Sequence, residues 1–198
     1  MSKNKVTFGL EKVHIAFRDE TSSTPAWGEV KHIPGAVNLS TDPQGGESPF
    51  YADNGTYYTH TNNDGYTAEL QMALVPDEIL AEMLGWEKDT NGMLVEVADG
   101  NQKEFALMFE VKGDKRNRRN VYYSCKASRP SKEHATKTDT VEPSTETLSL
   151  RILPIEIGGK NIVKGGMELN DTNQAAYDAF FNAVMIPDAA PAAVDKIK

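Results

Sequence analysis

Residues 66–74, YTAELQMAL, set Tyr66, Ala68, Leu70, Met72 and Leu74 in strict alternation with Thr67, Glu69, Gln71 and Ala73. A period of two is the mark of a strand with one face in a core and the other toward solvent. Pro76 ends the run. Immediately upstream lies its opposite, residues 41–65, TDPQGGESPFYADNGTYYTHTNNDG, where alternation gives way to Asp42-Pro43, Gly45-Gly46, Ser48-Pro49, Asp53-Asn54-Gly55 and Asn62-Asn63-Asp64-Gly65. These are turn formers, Gly for positive φ, Pro for a fixed φ, and Asn and Asp for side-chain bonds to nearby backbone. Asn54-Gly55 and Asp64-Gly65 each suit a hairpin turn and flank the strand-like stretch 56–61, so the tract 41–65 is expected to project as a hairpin or long loop.

Working outward, Val13, Ile15 and Phe17 alternate with Lys12, His14, Ala16 and Arg18, which predicts a half-buried strand. Residues 27–33 form a short strand stopped by Pro34-Gly35, and Val37 and Leu39 begin another. On the other side, Ile79, Leu80, Met83 and Leu84 share one helical face between Pro76 and Gly85, the expected punctuation of a short core-packed helix over 77–84. Phe105, Leu107, Phe109 and Val111 predict one strand, and Val121, Tyr123, Cys125 and Ala127 another, joined by a polar loop over 113–119. Leu148, Leu150 and Ile152 make a strand ending at Pro154, and Gly158-Gly159 suits a hairpin between 155–157 and 162–163. A helix capped by Asp171 or Thr172 is expected over 173–184, with Ala176, Tyr177, Phe180, Phe181 and Val184 toward the sheet. The fold class is therefore mainly β with a flanking helix, α+β, in one domain over 1–186, followed by a flexible tail over 187–198.

With 198 residues the chain buries a real core without staples, and its one cysteine, Cys125, has no internal partner for a disulfide. A reducing folding compartment fits this, and no apolar segment reaches the length of a signal h-region or a membrane span. The 29 acidic against 21 basic residues give a net charge of −8, which argues against a nucleic-acid reader that would gain affinity by neutralising phosphates.

No catalytic or metal constellation stands out. His14, His32, His60 and His134 are scattered, without zinc-ligand spacing. Cys125 sits on an apolar strand face and reads as a small buried hydrophobe. Gly158-Gly-Lys-Asn161 lacks the Ser or Thr of a phosphate-binding loop, and Asp89-Thr-Asn-Gly92 lacks the further ligands of a calcium loop, so both read as turns. Catalytic residues, metals and cofactors are accordingly expected to be none. Two features call for a partner. Lys115, Arg116, Arg118 and Arg119 form the dense basic cluster, a candidate electrostatic contact for an acidic neighbour, against the plainer reading of a solvated hairpin tip. Phe50, Tyr51, Tyr57, Tyr58 and Tyr66, with Asp53 and Asn54, stand in a tract otherwise made of turn formers; they either fold back on their own sheet or make an inter-subunit contact.

Residues 5–17 (KVTFGLEKVHIAF), 33–39 (IPGAVNL), 48–55 (SPFYADNG), 62–66 (NNDGY) and 127–130 (ASRP) together resemble the major tail proteins of long, flexible-tailed siphovirus-like phages of Gram-positive bacteria. The resemblance implies a tail-tube-type β-sandwich or barrel with a flanking helix, assembling as six-membered rings that stack into the conduit for DNA ejection. It implies a long loop reaching an adjoining subunit or ring, a place that residues 43–65 match by position in the chain. It further implies as partners the chain itself, the tape measure, tail terminator and distal tail proteins, and DNA passing through an acidic lumen without specific binding. The place is the virion tail, after synthesis in the bacterial host cytoplasm. Rival expectations are another virion β protein, at the tail tip or as decoration, a secretion-system tube protein of related fold, and a carbohydrate-binding module or enzyme, which would bind glycan or substrate as a stable monomer.

Overall fold

Alternating apolar residues drive the chain into antiparallel strands that pair both with their chain neighbours and with distant partners. In a computed structural model describing residues 3–52, 54–131 and 145–187, the first strands are β1 (Thr7–Arg18), β2 (Trp27–Ile33) and β3 (Ala36–Gln44). β4 (Glu47–Ala52) and β5 (Gly55–Thr61) form a hairpin, and β6 (Gly65–Met72) leads into α1 (Asp77–Leu84). The short pair β7 (Glu87–Lys88) and β8 (Leu94–Val95) precedes β9 (Phe105–Gly113) and β10 (Arg118–Ala127). β11 (Glu146–Ile152), the hairpin β12 (Ile155–Ile157) and β13 (Lys160–Ile162), β14 (Lys164–Glu168) and α2 (Gln174–Asp178) follow.

The main sheet runs β2-β1-β9-β10-β11-β6-β3, with every neighbouring pair antiparallel. One edge of β10 is shared: Arg118–Tyr122 pair with β14, and Cys125–Ala127 pair with β11. The sheet curls until β3 lies near β1, and Leu10 and Leu39 pack on the same apolar cluster. That cluster joins Ile15, Phe17, Leu70, Phe105, Leu148 and Ile152 across four strands. α1 covers it with Ile79, Leu80, Met83 and Leu84, as the helical spacing predicts, and the Lys103 N–H donates to Met83 O at 3.2 Å where β9 begins. The helix stops at Gly85, whose φ of +69° is left-handed.

A second cluster lies on the outer face of β9 and β10. Ala106, Met108, Val121 and Tyr123 meet Ile155, Ile157 and Phe180 there, so β9 is buried on both faces from Phe105 to Glu110. This two-sided burial changes several simple expectations. β1 is covered on its second face as well, with Ala16 fully buried and the His14 ring stacked on Phe181 at 4.4 Å. On β10 the register shifts between Tyr122 and Cys125; Val121 and Tyr123 face the outer cluster while Cys125 and Ala127 join Tyr122 in the inner one, so the four do not share one face. The expected helix over 173–184 is shorter, α2 passing at Ala179–Phe181 into a 3-10 turn. Neither Asp171 nor Thr172 caps it, because the Asn170 Oδ1 accepts from the backbone N–H groups of Thr172 and Asn173 and forms a turn instead. Its docking on the sheet holds through Tyr177 and Phe180. The expected flexible tail lies, beyond Pro187, outside the described residues.

Leu80 is fully buried between α1 and the sheet, so Leu80→Ala is expected to lower unfolding free energy by about 3 kcal/mol, through lost transfer energy and the cavity left behind. Urea unfolding followed by far-ultraviolet circular dichroism measures this; a change below about 1 kcal/mol would contradict the placement of α1.

Candidate assembly surface

The turn-rich tract is a two-stranded ribbon that prolongs the β3–β6 pair beyond the sheet. β3 and β6 pair down to Gln44 opposite Gly65, and β4 and β5 pair from Glu47 opposite Thr61 to Ala52 opposite Gly55. Two backbone bonds bridge the joint: the Asn62 N–H donates to Gly46 O and the Asp64 N–H to Gln44 O, both at 2.9 Å. Close backbone approach explains two glycines here, one at the joint and one against the end of β11. A Cβ on Gly45 would lie 2.1 Å from Asn62 O, and one on Gly65, where φ is +97°, would lie 1.9 Å from Ile152 O. Asp64-Gly65 is therefore no hairpin turn, as its dipeptide chemistry suggests, but the root of the ribbon; the single reversal is at the tip, where Asn54 takes φ +63°.

The aromatic residues divide. Phe50, Tyr51, Tyr57 and Tyr58 are 61%, 66%, 74% and 60% exposed, so they do not fold back onto their own sheet. Phe50 and Tyr58 are directly opposed and share one face of the ribbon, while Tyr57, one residue along, points to the other. Every described residue of β5 is exposed, and neither ribbon face rests on the subunit. Tyr66 does fold inward: its ring lies 5.9 Å from that of Tyr122 and beneath the Lys164 ammonium at 4.7 Å. Asp53 lies outside the described residues.

The basic cluster also divides. Only residues 114–117 form the loop, for Arg118 and Arg119 already belong to β10. Arg118 stays exposed, 3.8 Å from Glu168, while the Arg116 guanidinium donates to Leu169 O. Arg119 turns inward. Its Nε donates to Glu110 Oε2 at 2.8 Å, a second guanidinium N–H donates to Tyr177 O, and its plane lies 3.9 Å from the Tyr177 ring. Glu110 is fully buried and takes two more donors, Asn117 Nδ2 at 2.7 Å and Lys12 Nζ at 3.1 Å. Lys12 reaches it from a bulge in β1, with φ +56°. Burial pushes the Glu110 carboxyl up, but the bonds from Arg119, Lys12 and Asn117 outweigh it and hold the group below its ordinary value. This buried charge cluster, which fastens the C-terminal segment to the sheet, carries no local sequence signature: Lys12 and Glu110 are far apart in the chain, and Glu110 falls on a polar-looking position beside Phe109.

Among the described residues no three His, Cys, Asp or Glu side chains converge as a metal site, and no helix is long and apolar enough to cross a membrane. His14 and His32 approach ring to ring at 4.6 Å, His60 lies on the exposed ribbon, and His134 is outside the described residues. Burial pushes the Cys125 thiol well above its ordinary value, which keeps it protonated and unreactive. Asp89 closes a turn, accepting from the N–H groups of Asn91 and Met93.

A family model described as phage tail tube protein matches residues 1–189. No curated protein matches the chain. Among solved structures, a chain from the cryo-EM structure of the anti-feeding prophage (AFP) baseplate, 6-fold symmetrised, is similar at 10% identity and a TM-score of 0.38, covering 84% of this chain and 97% of that one.

Two expectations follow from this geometry. Alanine at Phe50, Tyr51, Tyr57 or Tyr58 is expected to change the stability of the isolated subunit by no more than about 0.5 kcal/mol each, and Tyr66→Ala to cost about 2 kcal/mol, measured by urea unfolding at low protein concentration. Glu110→Gln leaves Arg119 and Lys12 without their anion and is expected to cost about 3 kcal/mol at neutral pH. Because the Glu110 carboxyl titrates lower in the folded than in the unfolded chain, its contribution is full above the unfolded value and is lost as pH falls through the folded one. The gap between parent and variant should therefore close on acidification; a pH-independent gap, read from thermal melts across the acidic range, would count against the ion-pair account.

Proposed function

We propose, from the premise that this chain belongs to the phage tail tube protein family, that it is the repeating subunit of the tail tube and that the β4–β5 ribbon joins neighbouring copies. The chain is a structural component of a phage tail. The observation that carries the finer reading is the ribbon itself, four large aromatic side chains held in solvent on a backbone already paired into a β-hairpin. Soluble surfaces seldom keep such a concentration of apolar area uncovered, and aromatic side chains are the commonest anchors of protein contacts.

The sheet edges suit the same reading. The strand order begins at β2 and ends at β3, so each offers one edge free of a named partner strand among the described residues. Stacking or lateral pairing between copies satisfies such edges and removes their tendency to aggregate at random. One tail-tube domain over residues 1–186 closes into rings, six-membered by the family resemblance, and the rings stack into a DNA conduit. The net charge of −8 serves a lumen that repels phosphate and lets DNA slide without sticking. The tape measure, tail terminator and distal tail proteins are the partners inside and at the ends of such a tube, built in the host cytoplasm and carried in the virion tail.

Negative-stain electron microscopy of the concentrated protein is expected to show rings and tubes. A variant lacking residues 46–62, with the ribbon root retained, is expected to keep the circular dichroism spectrum of a folded β protein and to lose tube growth. Parent protein that stays monomeric at millimolar concentration would overturn the tube reading; normal tubes from the deletion variant would overturn the role of the ribbon alone.

A further inference from the structure

The curled sheet is open at the end opposite α1, where β9 finishes and β10 begins. Two adjoining hollows of about 520 and 380 Å³ lie there, sharing Thr7, Val111, Asn120 and Tyr122 in their walls. Leu10, Leu39 and Phe109 contribute apolar wall to the second beside the polar Asn38, Thr41 and Asn120, and Phe8, also in its wall, is more than half exposed. Arg118 and Lys164 line the first, and neither hollow has an Asp or Glu in its wall. The Arg118 side chain is half exposed and pairs at 3.8 Å with Glu168, and the Lys164 ammonium lies over the Tyr66 ring at 4.7 Å, where the hydrogen bond with Tyr66 raises it above its ordinary value.

We propose that this cationic cleft receives the β4–β5 ribbon of a second copy of the chain. The charge and chemistry match. Residues 41–65 hold four carboxylates, Asp42, Glu47, Asp53 and Asp64, with no Lys or Arg, and add the exposed rings of Phe50, Tyr51, Tyr57 and Tyr58. An acidic, aromatic ribbon complements a cleft whose walls mix apolar and neutral polar side chains, that carries two cations and that has no carboxylate in its walls.

A ribbon cannot enter the cleft of its own subunit. Thr41 of β3 lines that cleft, and the ribbon leaves the sheet only three residues later, at Gln44. From there β4 carries the tip a further distance of roughly 20 Å, at about 3.4 Å per residue, along a continuously paired backbone that is not free to double back. Cleft and ribbon are different surfaces, so each copy offers one of each and the contact can run head to tail, in a heterologous series. Repeated, it generates a closed ring or an open stack, whereas a two-fold contact would end at a dimer.

This inference rests on the reading of the ribbon as an inter-subunit contact, and the following experiment separates the two. The full-length chain carrying the photo-crosslinker p-benzoylphenylalanine at position 57 is mixed with isotope-labelled parent chain, concentrated until it assembles, irradiated and digested for mass spectrometry. Crosslinks between differently labelled copies are expected on peptides containing Leu10, Leu39, Arg118 or Lys164. Crosslinks to another surface of the second copy would overturn the cleft while sparing the ribbon as a contact; none between copies would overturn both. Arg118→Glu combined with Lys164→Glu is expected to raise the concentration needed for assembly at least tenfold, and adding Glu47→Lys with Asp53→Lys to restore part of the loss. Assembly of the charge-reversed variant at the parent concentration would also overturn the cleft.

Discussion

β9 and β10 are buried on both faces, and the rest of the subunit is arranged around that constraint. An antiparallel sheet ordinarily leaves one face in water, yet Phe105, Leu107 and Phe109 enter the inner cluster while Ala106 and Met108 enter the outer one. The strand continues to Glu110, on the outer side, so the same two-sided cover that packs the apolar residues also buries a carboxylate. A buried carboxylate without donors would be costly, and the chain meets that demand with Lys12 from a bulge in β1 and with Asn117 and Arg119 from the neighbouring turn and strand. Arg119 in turn stacks on Tyr177 and lies 4.9 Å from the Phe181 ring, which ties the C-terminal segment to the same point. One central pair of strands thus fixes the curl, the bulge and the docking of the last elements.

How much of this is legible in the sequence depends on whether side chains report the backbone. The Pro76–Gly85 punctuation names α1 to the residue, and the alternation from Tyr66 marks β6, because side chains there obey a local period, although the strand starts at Gly65 and stops at Met72, which leaves Leu74 exposed beyond its end. β14 is silent for the opposite reason. Its sequence, KGGME, has two glycines where a pattern would stand, and they are glycines because β10 comes close: a Cβ at Gly165 would lie 2.8 Å from the Tyr123 hydroxyl. The bulges are equally silent, since a slip of one residue after Tyr122 reverses which side chains face the inner cluster without altering the hydrophobic run. Charge misleads in a third way. The run 115–119 looks like a uniform solvated tip, yet in a strand neighbouring residues point to opposite faces, so Arg118 remains outside while Arg119 goes in.

The tract 41–65 shows composition and fold in partial agreement. Its turn formers correctly mark a departure from the sheet, but those at Gly45-Gly46 and Asn62–Gly65 shape the joint, Asp42-Pro43 and Ser48-Pro49 lie within strands, and only Asn54 with its neighbours makes the reversal. Pro49 is tolerated in β4 because this ribbon has no third strand, so the missing N–H breaks no further ladder. A tract that reads as a loop is thereby a stiff extension of β3 and β6.

Stiffness matters for what such an arm does. A flexible connection of the same length would lose roughly 1 to 2 kcal/mol of conformational entropy per residue on becoming ordered against a neighbour, and the contact would have to overcome that cost. In the ribbon most of this ordering is already met within the subunit, by the pairing of β4 with β5 and by the bonded joint to the sheet. An isolated two-stranded hairpin is marginal in water, but this one is rooted on the β3–β6 pair, which belongs to the main sheet. The exposed rings therefore reach a partner at little further cost in backbone order, and their apolar area remains available to hold the two copies together.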